Sequence, residues 1–314
     1  MPHWADELFT HAEPVAEGSN TSHTVGQVVP SRLPGMPHQR IFKQKNKLSA
    51  PVQCVECNVL PRRKLPGGCC GCRYPSFREY YSGHGGLSRS ARRRGLRTIE
   101  FEAYHGGRFD AGKDLGNPQV ITKEITDARR GLITGAHFGI PCNSWCQMSQ
   151  KYNGGTRTYD SPLGDGSLAR ETQGNQQLEQ MLRLTSVFLE LGIPFTIENP
   201  CDSMLWHAET IVALRQDPNV SGVVVDLCMY KLRPPDFLGT KGVDVRVRKR
   251  TRFVGTVQGL VGLKRMCDGG HAHAAAWGSC KVNNKTVARA KAAGAYPPCF
   301  CHSLSSLFAN NQSA

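Results

Sequence analysis

The sequence predicts an α/β protein built on an open, largely parallel sheet. Three stretches predict it. Residues 76–102 read as strand, glycine-rich loop, helix, strand and closing acid. Residues 132–140 form a short apolar run that ends in Pro141-Cys142. Residues 193–197 form a second such run, ending in Glu198-Asn199-Pro200. Short apolar runs bounded by Gly and Pro read as buried strands. In open α/β sheets the chemistry collects where such strands end.

Along the chain, residues 1–50 are rich in Pro, Gly, Ser, Thr and His, with few apolar clusters. That composition predicts a disordered tail. Residues 51–75 hold Cys54-x2-Cys57 and, eleven residues on, Cys69-Cys70-Gly71-Cys72. Cys54, Cys57, Cys69 and Cys72 have the spacing of a closed, structural zinc site, and Pro61, Pro66, Gly67 and Gly68 suit the turn between the pairs. A loop of reduced thiols is the plainer alternative.

From residue 76 the pattern becomes that of a folded domain. Phe77, Glu79 and Tyr81 alternate with Arg78 and Tyr80, a strand signature. Gly83, Gly85 and Gly86 follow, then a helix over 87–94 stopped by Gly95, then a strand over 96–102 that ends in Glu102. Glycines let a backbone approach a cofactor closely, and an acid after the second strand suits ribose hydroxyls. A tight turn is the alternative. Asp114 precedes a helix predicted over 117–130, where it would contact a cofactor or cap the helix.

Cys142 stands at a strand end, where a stabilised thiolate would be a nucleophile and an uncharged thiol merely structural. Residues 150–174 are polar and glycine-rich, a candidate lid. Residues 175–190 have the apolar spacing of a core helix stopped by Gly192. A helix over 203–216 and a strand over 223–226 follow, with Cys228 beyond. Residues 244–253 alternate Val with Arg, which suits a charged edge strand or contacts with phosphates and bases. Cys267, His271, His273 and Cys280 have the residue types of a second zinc site. The segment 288–295 and the stretch up to residue 308 read as closing helices.

The net charge is +14, and basic residues cluster at 62–64, 92–94 and 246–252. Such clusters point to a polyanion, nucleic acid above all. The 13 Cys are odd in number, and the first residues lack the basic start and apolar core of a secretory signal. Thiols and metal ligands are therefore expected in place of disulfides. No apolar run approaches the roughly 18 residues of a membrane span. The expectation is an intracellular protein with no membrane partner, nuclear in a eukaryote and cytoplasmic otherwise.

The ordered set resembles the cytosine-C5 DNA methyltransferase family over about residues 76–310. Tyr81-Ser82-Gly83-His84-Gly85-Gly86-Leu87-Ser88 is similar to the family's first motif, Phe-x-Gly-x-Gly-Gly, and Glu102 falls at its ribose-binding acid. Asp114-Leu115 resembles the third motif. Pro141-Cys142 resembles the nucleophile motif, with Ile140 in place of the usual first Pro. Glu198-Asn199-Pro200 is similar to Glu-Asn-Val, and Arg250-x-Arg252 to the end of Gln-x-Arg-x-Arg. Tyr296-Pro297 stands where the last motif ends. The variants are most like those of divergent protist, mobile-element and viral members.

The resemblance implies a Rossmann-like, S-adenosylmethionine-dependent methyltransferase fold behind the small Cys-rich zinc module, without a large target-recognition domain. It implies cofactor contacts from Tyr81, Ser82, Gly83, Gly85, Gly86, Leu87, Glu102, Asp114 and Pro141. Cys142 would add to cytosine C6, Glu198 would meet N3, Asn199 would hold the loop, and Arg250 or Arg252 would contact the base carbonyl. The partner would be DNA, with RNA as the other substrate. An inactive zinc-bearing nucleic-acid-binding protein is the alternative.

Overall fold

The computed structural model of the protein describes residues 74–105, 108–235, 243–282 and 285–313. The expected tail and the zinc module of Cys54, Cys57, Cys69 and Cys72 lie outside the described residues.

The domain opens with β1 (Ser76–Tyr80), α1 (Gly86–Arg93) and β2 (Thr98–Phe101). A small hairpin of β3 (Tyr104–His105) and β4 (Arg108–Phe109) leads to α2 (Pro118–Arg129) and β5 (Ile133–Phe138). Asn117 caps α2 with its side chain, accepting from the Gln119 N–H, and Pro118 fills the first turn where no N–H is needed. Then come α3 (Gln147–Asn153), α4 (Ala169–Leu191), β6 (Phe195–Pro200), α5 (Glu209–Arg215) and β7 (Ser221–Asp226). The last part holds β8 (Val245–Val247), β9 (Arg250–Gly255), β10 (Ala272–Ala274), β11 (Ser279–Val282), β12 (Lys285–Ala288), α6 (Arg289–Ala293) and α7 (Pro298–Ser313).

The central sheet has the order β2-β1-β5-β6-β9-β7. The first four strands run parallel, and β9 runs antiparallel to both β6 and β7. Two apolar layers cover it. Val120 and Ile121 of α2 pack with Met181, Leu184 and Phe188 of α4 on one face. Leu87 and Ala91 of α1 pack with Phe300, Leu304 and Phe308 of α7 on the other. Helices on both faces are what an inner parallel strand requires, since it buries both its sides.

Accordingly β1 is buried along its whole length, and its alternating sequence does not mark a solvent face. Arg78 points to the α2 side, where its Nε donates to Glu124 Oε2 at 2.8 Å and its guanidinium meets Asp127 at 3.4 Å. Glu79 points to the α1 side and accepts from the Ser88 N–H at 2.7 Å. Burial pushes the Glu79 carboxyl up to about 7, partly offset by the bonds from Ser88. Each internal charge is thus either paired or drawn towards neutrality.

The expected lid over 150–174 is a built loop. The α3 helix occupies its start and α4 begins at Ala169, earlier than expected. Between them Arg157 lies over the Trp145 ring at 3.5 Å and donates to Pro162 O, Asn175 Oδ1 and Glu171 O. The buried Glu171 carboxylate accepts from the Thr156 N–H at 2.9 Å. A side chain at Gly174 would collide with Ser144 and Arg157, which is why α4 carries glycine there. The helix expected over 203–216 divides into a 3-10 turn, Met204–His207, and α5. The helix expected over 288–295 is the short α6, with Ala288 still in β12. Among the described residues no helix is long and apolar enough to cross a membrane.

Candidate active site

The chain leaves β1 for β2 on one side and later places β5 and β6 on the other. The order reverses between β1 and β5, and ligands of open α/β sheets bind at such a switch point. The glycine loop follows β1 and the Pro-Cys segment follows β5, so both lie at that edge. They touch there: Gly139 N–H donates to Tyr80 O at 3.1 Å, and a side chain at Gly139 would meet Tyr81 O at 3.3 Å.

Beyond β5 the chain turns at once. The Cys142 carbonyl accepts from the Trp145 and Cys146 N–H groups at 2.9 and 3.1 Å. The neighbouring β6 fixes this turn from the side. Asn199 is fully buried, and its Nδ2 donates to Ile140 O at 2.9 Å. Glu198, beside it in sequence, is buried and lies 3.5 Å from Lys249 Nζ. The half-buried Cys142 thiol feels both groups. Burial pushes it up to about 11, Lys249 pulls it down, and Glu198 and Cys146 push it further up. At rest it is therefore a neutral thiol.

The strand pleat decides which basic residues reach this place. In the β6–β9 register Glu198 opposes Phe253 and Asn199 opposes Arg252. Opposed residues share a face, so Lys249, Thr251 and Phe253 lie on the Glu198 side and Arg250 and Arg252 on the other. Arg250 is taken by the buried Asp226 in a bidentate pair at 2.9 and 3.0 Å. Arg252 lies over the Trp206 ring at 5.6 Å, with Cys201 Sγ at 3.9 Å. The two arginines expected beside Cys142 are thus held elsewhere, and the cation next to Glu198 is Lys249. Period-two alternation in the run 245–253 could have signalled this choice once the partner strand was known.

The glycine loop after β1 and the acid after β2 lie side by side. Glu102 Oε2 accepts from the Gly83 N–H at 2.9 Å, which joins the loop to the acid after β2. Gly85 has φ 60°, a conformation that favours glycine, and a side chain there would strike the Glu100 carboxylate. Tyr81 holds the same left-handed backbone, φ 56°, without being glycine. Its hydroxyl is buried without a hydrogen-bond partner. Burial and then the nearby Asp114 raise its pKa, so it stays protonated. Asp114 itself accepts from the Gly116 N–H. Ser82 N–H donates to Phe101 O. Gly86 backs onto Cys301, Pro141 is half-buried, and Leu87 is core under α7, where no ligand reaches its side chain. An open groove of about 600 Å³ beside Glu102 is lined by Arg108, Phe109, Asp110 and Lys113.

Two further residues went unassigned in the sequence. His137 on β5 bonds to Thr196 Oγ1 at 2.8 Å and to the Tyr296 hydroxyl at 3.0 Å. Burial pushes His137 down to about 3, so its imidazole is neutral. Burial, and then the charge of Glu198, hold the Tyr296 hydroxyl protonated. A neutral ring has one N–H donor and one acceptor nitrogen, so of its two partners, the Thr196 and Tyr296 hydroxyls, one donates to the ring and the other accepts from it. His137 stood in the apolar run as its one ionisable residue, which was its only signal.

The residues expected to form a second metal site partly regroup. Cys267, His271 and His273 come together, but the fourth member is Cys228, not Cys280. Cys280 lies on β11 and turns its thiol towards Val287 O at 3.8 Å.

No protein-family model matches the chain, and no curated protein matches it. Among solved structures it is similar to the crystal structure of S. pombe Dnmt2 methyltransferase, at 14% sequence identity and a TM-score of 0.26. The match covers 62% of this chain and 52% of the other, so the chain spans about half of that protein's length.

Proposed function

We propose that the protein transfers a methyl group from S-adenosylmethionine to C5 of cytosine in DNA through a covalent adduct on Cys142. The observation that carries this reading is the Asn199–Ile140 tie, which fastens the Cys142 turn beside Glu198 at the switch point of the sheet. The glycine loop bound to Glu102 lies one strand away. The ordered motifs of the sequence resemblance support the same assignment.

The cofactor half suits its ligand. Gly83 and Gly85 leave the backbone bare at two points of the loop, Glu102 offers a carboxylate to ribose hydroxyls, and Tyr81 presents a buried hydroxyl with no partner. S-adenosylmethionine bound there would supply an electrophilic methyl group and a positive sulfonium.

The protein's own residues do the remaining work. Cys142 must lose its proton to attack, and Lys249 favours that loss while the charge of Glu198 opposes it. A cytosine whose N3 shares a proton with Glu198 disperses that opposing charge. The thiolate then bonds to C6, the C5–C6 double bond gives its electron pair to C5, and N3 takes up, by way of the Glu198 carboxylate, the proton that Cys142 released. C5 becomes the nucleophile, a covalent strategy for an otherwise unreactive carbon. Once C5 carries the methyl group, its proton passes to water, the C–H pair reforms the C5–C6 double bond, Cys142 leaves as the thiolate, and N3 gives its proton back to Glu198. The base must leave its stack to reach Cys142.

The test is methyl transfer from labelled S-adenosylmethionine to unmethylated mixed-sequence DNA and to RNA, wild type beside Cys142→Ala, with the product nucleoside identified by mass. 5-Methylcytosine in DNA from the wild type alone is the expected result. Product in RNA alone moves the substrate to RNA. Nucleic-acid binding with no transfer and no S-adenosylmethionine affinity would leave a binding protein on a methyltransferase-like frame.

A further inference from the structure

From the cluster behind β9 we infer that Cys228, Cys267, His271 and His273 bind a zinc ion that clamps the ends of β7 and β9. The four ligand atoms lie within 4.8 Å of one another. Cys267 Sγ is 3.7 Å from His271 Nε2 and 3.4 Å from His273 Nε2. Tetrahedral zinc with its usual bond lengths, about 2.3 Å to sulfur and about 2.0–2.1 Å to nitrogen, separates S from N by about 3.6 Å. The two observed edges straddle that value.

The ligands come from three separate segments. Cys228 sits in a 3-10 turn, Leu227–Tyr230, directly after β7. Cys267 follows the 3-10 turn Leu260–Leu263. His271 and His273 flank Ala272 at the start of β10, and side chains two apart on a strand share a side. Their rings stand edge to face, 4.6 Å apart. The surroundings suit bound thiolates. Gly269 N–H points at Cys267 Sγ at 3.4 Å, and Cys267 N–H is held by Asp226 Oδ2 at 2.8 Å. Arg246, which pairs with His273 in the β8–β10 ladder, donates to Cys228 O. Both thiols are free of disulfides.

Four protein ligands leave no open position, so the ion is structural. What it holds is specific. Leu227 N–H donates to Lys249 O at 2.9 Å, and Asp226 grips Arg250. The clamp therefore fixes the two residues on either side of the start of β9, and with them the lysine that faces Glu198. The inference stands whether or not the protein transfers methyl groups.

The test uses the full chain carrying Cys54→Ser and Cys57→Ser, so that the N-terminal cysteine pairs contribute no zinc. Zinc per chain is measured by plasma mass spectrometry after dialysis against a chelator. One equivalent is expected in this parent and in a Cys280→Ser variant, and its loss in Cys228→Ser and in His273→Ala. His273 is exposed, so its replacement leaves the core untouched. Cobalt substitution of the parent gives an independent readout. Intense tetrahedral visible bands with a thiolate charge-transfer band are expected, and both should change in His273→Ala. A parent without zinc, or a full equivalent kept in both Cys228→Ser and His273→Ala, overturns the site.

Discussion

Two residues, one on β6 and one just before β9, divide the control of Cys142. Asn199 fixes where its turn lies, through the bond to Ile140 O, and Lys249 favours its charged form. With the thiol raised to about 11, its reactive fraction at pH 8 is small and rises tenfold for each pH unit. Lys249→Met should therefore slow alkylation of Cys142 by iodoacetamide at pH 8–9 by roughly three- to tenfold, one pKa unit or less. Peptide mass spectrometry that separates Cys142 from Cys146 reads the rate. Equal rates at every pH would remove Lys249 from the site. His137 gives a second residue-level expectation. Its pKa falls from 6.5 to about 3 on folding, so the unfolded chain binds more protons between these values and stability is lost as the pH falls below 6.5. Glu79 runs the other way, from 4.5 to about 7, and stabilises the native state as the pH falls through the same window. The wild-type curve is thus flattened, and a difference experiment exposes the histidine. The stability advantage of wild type over His137→Gln should shrink by about 2 kcal/mol between pH 6.5 and 5, measured by urea unfolding at each pH.

At the scale of elements, β1 is tied to α2 by charge as well as by packing. Arg78 and Glu124 are buried and paired at 2.8 Å, with Asp127 and Lys123 completing the group. Removing one partner of such a pair strands the other. Glu124→Gln should cost about 3–5 kcal/mol, seen as a lowered urea midpoint with an unchanged slope. A loss below about 1 kcal/mol would mean that water already reaches Arg78. These charges also mark where the sequence was legible and where it was not. Strand ends, the glycine loop, Glu102 and Asn199 were readable because each is a local pattern of turn residues and apolar runs. Lys249 was hidden among four neighbouring basic residues, because only the register with β6 says which of them face Glu198. Cys228 was hidden for a similar reason, since β8, β9 and the 3-10 turn Leu260–Leu263 separate it from Cys267 in the chain. Residue type and nearness in the chain pointed to Cys280. The stretch 150–174 looked like a lid because it is polar and glycine-rich, while two of the residues that hold its Arg157, Trp145 and Asn175, lie outside it in sequence.

At the scale of the whole molecule, a chain of net charge +14 with the proposed nucleic-acid substrate should bind it with a strong salt dependence. Even two phosphate contacts release enough counterions to weaken binding about tenfold between 50 and 200 mM salt. Fluorescence anisotropy of a labelled duplex checks this, and binding that ignores salt would locate recognition away from the basic clusters. The strand order has a consequence of another kind. The sheet places β9 between β6 and β7, although β9 follows both in the chain. During synthesis, β6 and β7 therefore leave the ribosome with a gap between them. Each presents unpaired backbone until residue 255 has emerged. Translation that stalls before β9 would release a chain with two open strand edges, the template for self-association. A nascent chain ending near residue 245 should therefore aggregate or recruit chaperones, whereas one ending past residue 255 can close its sheet.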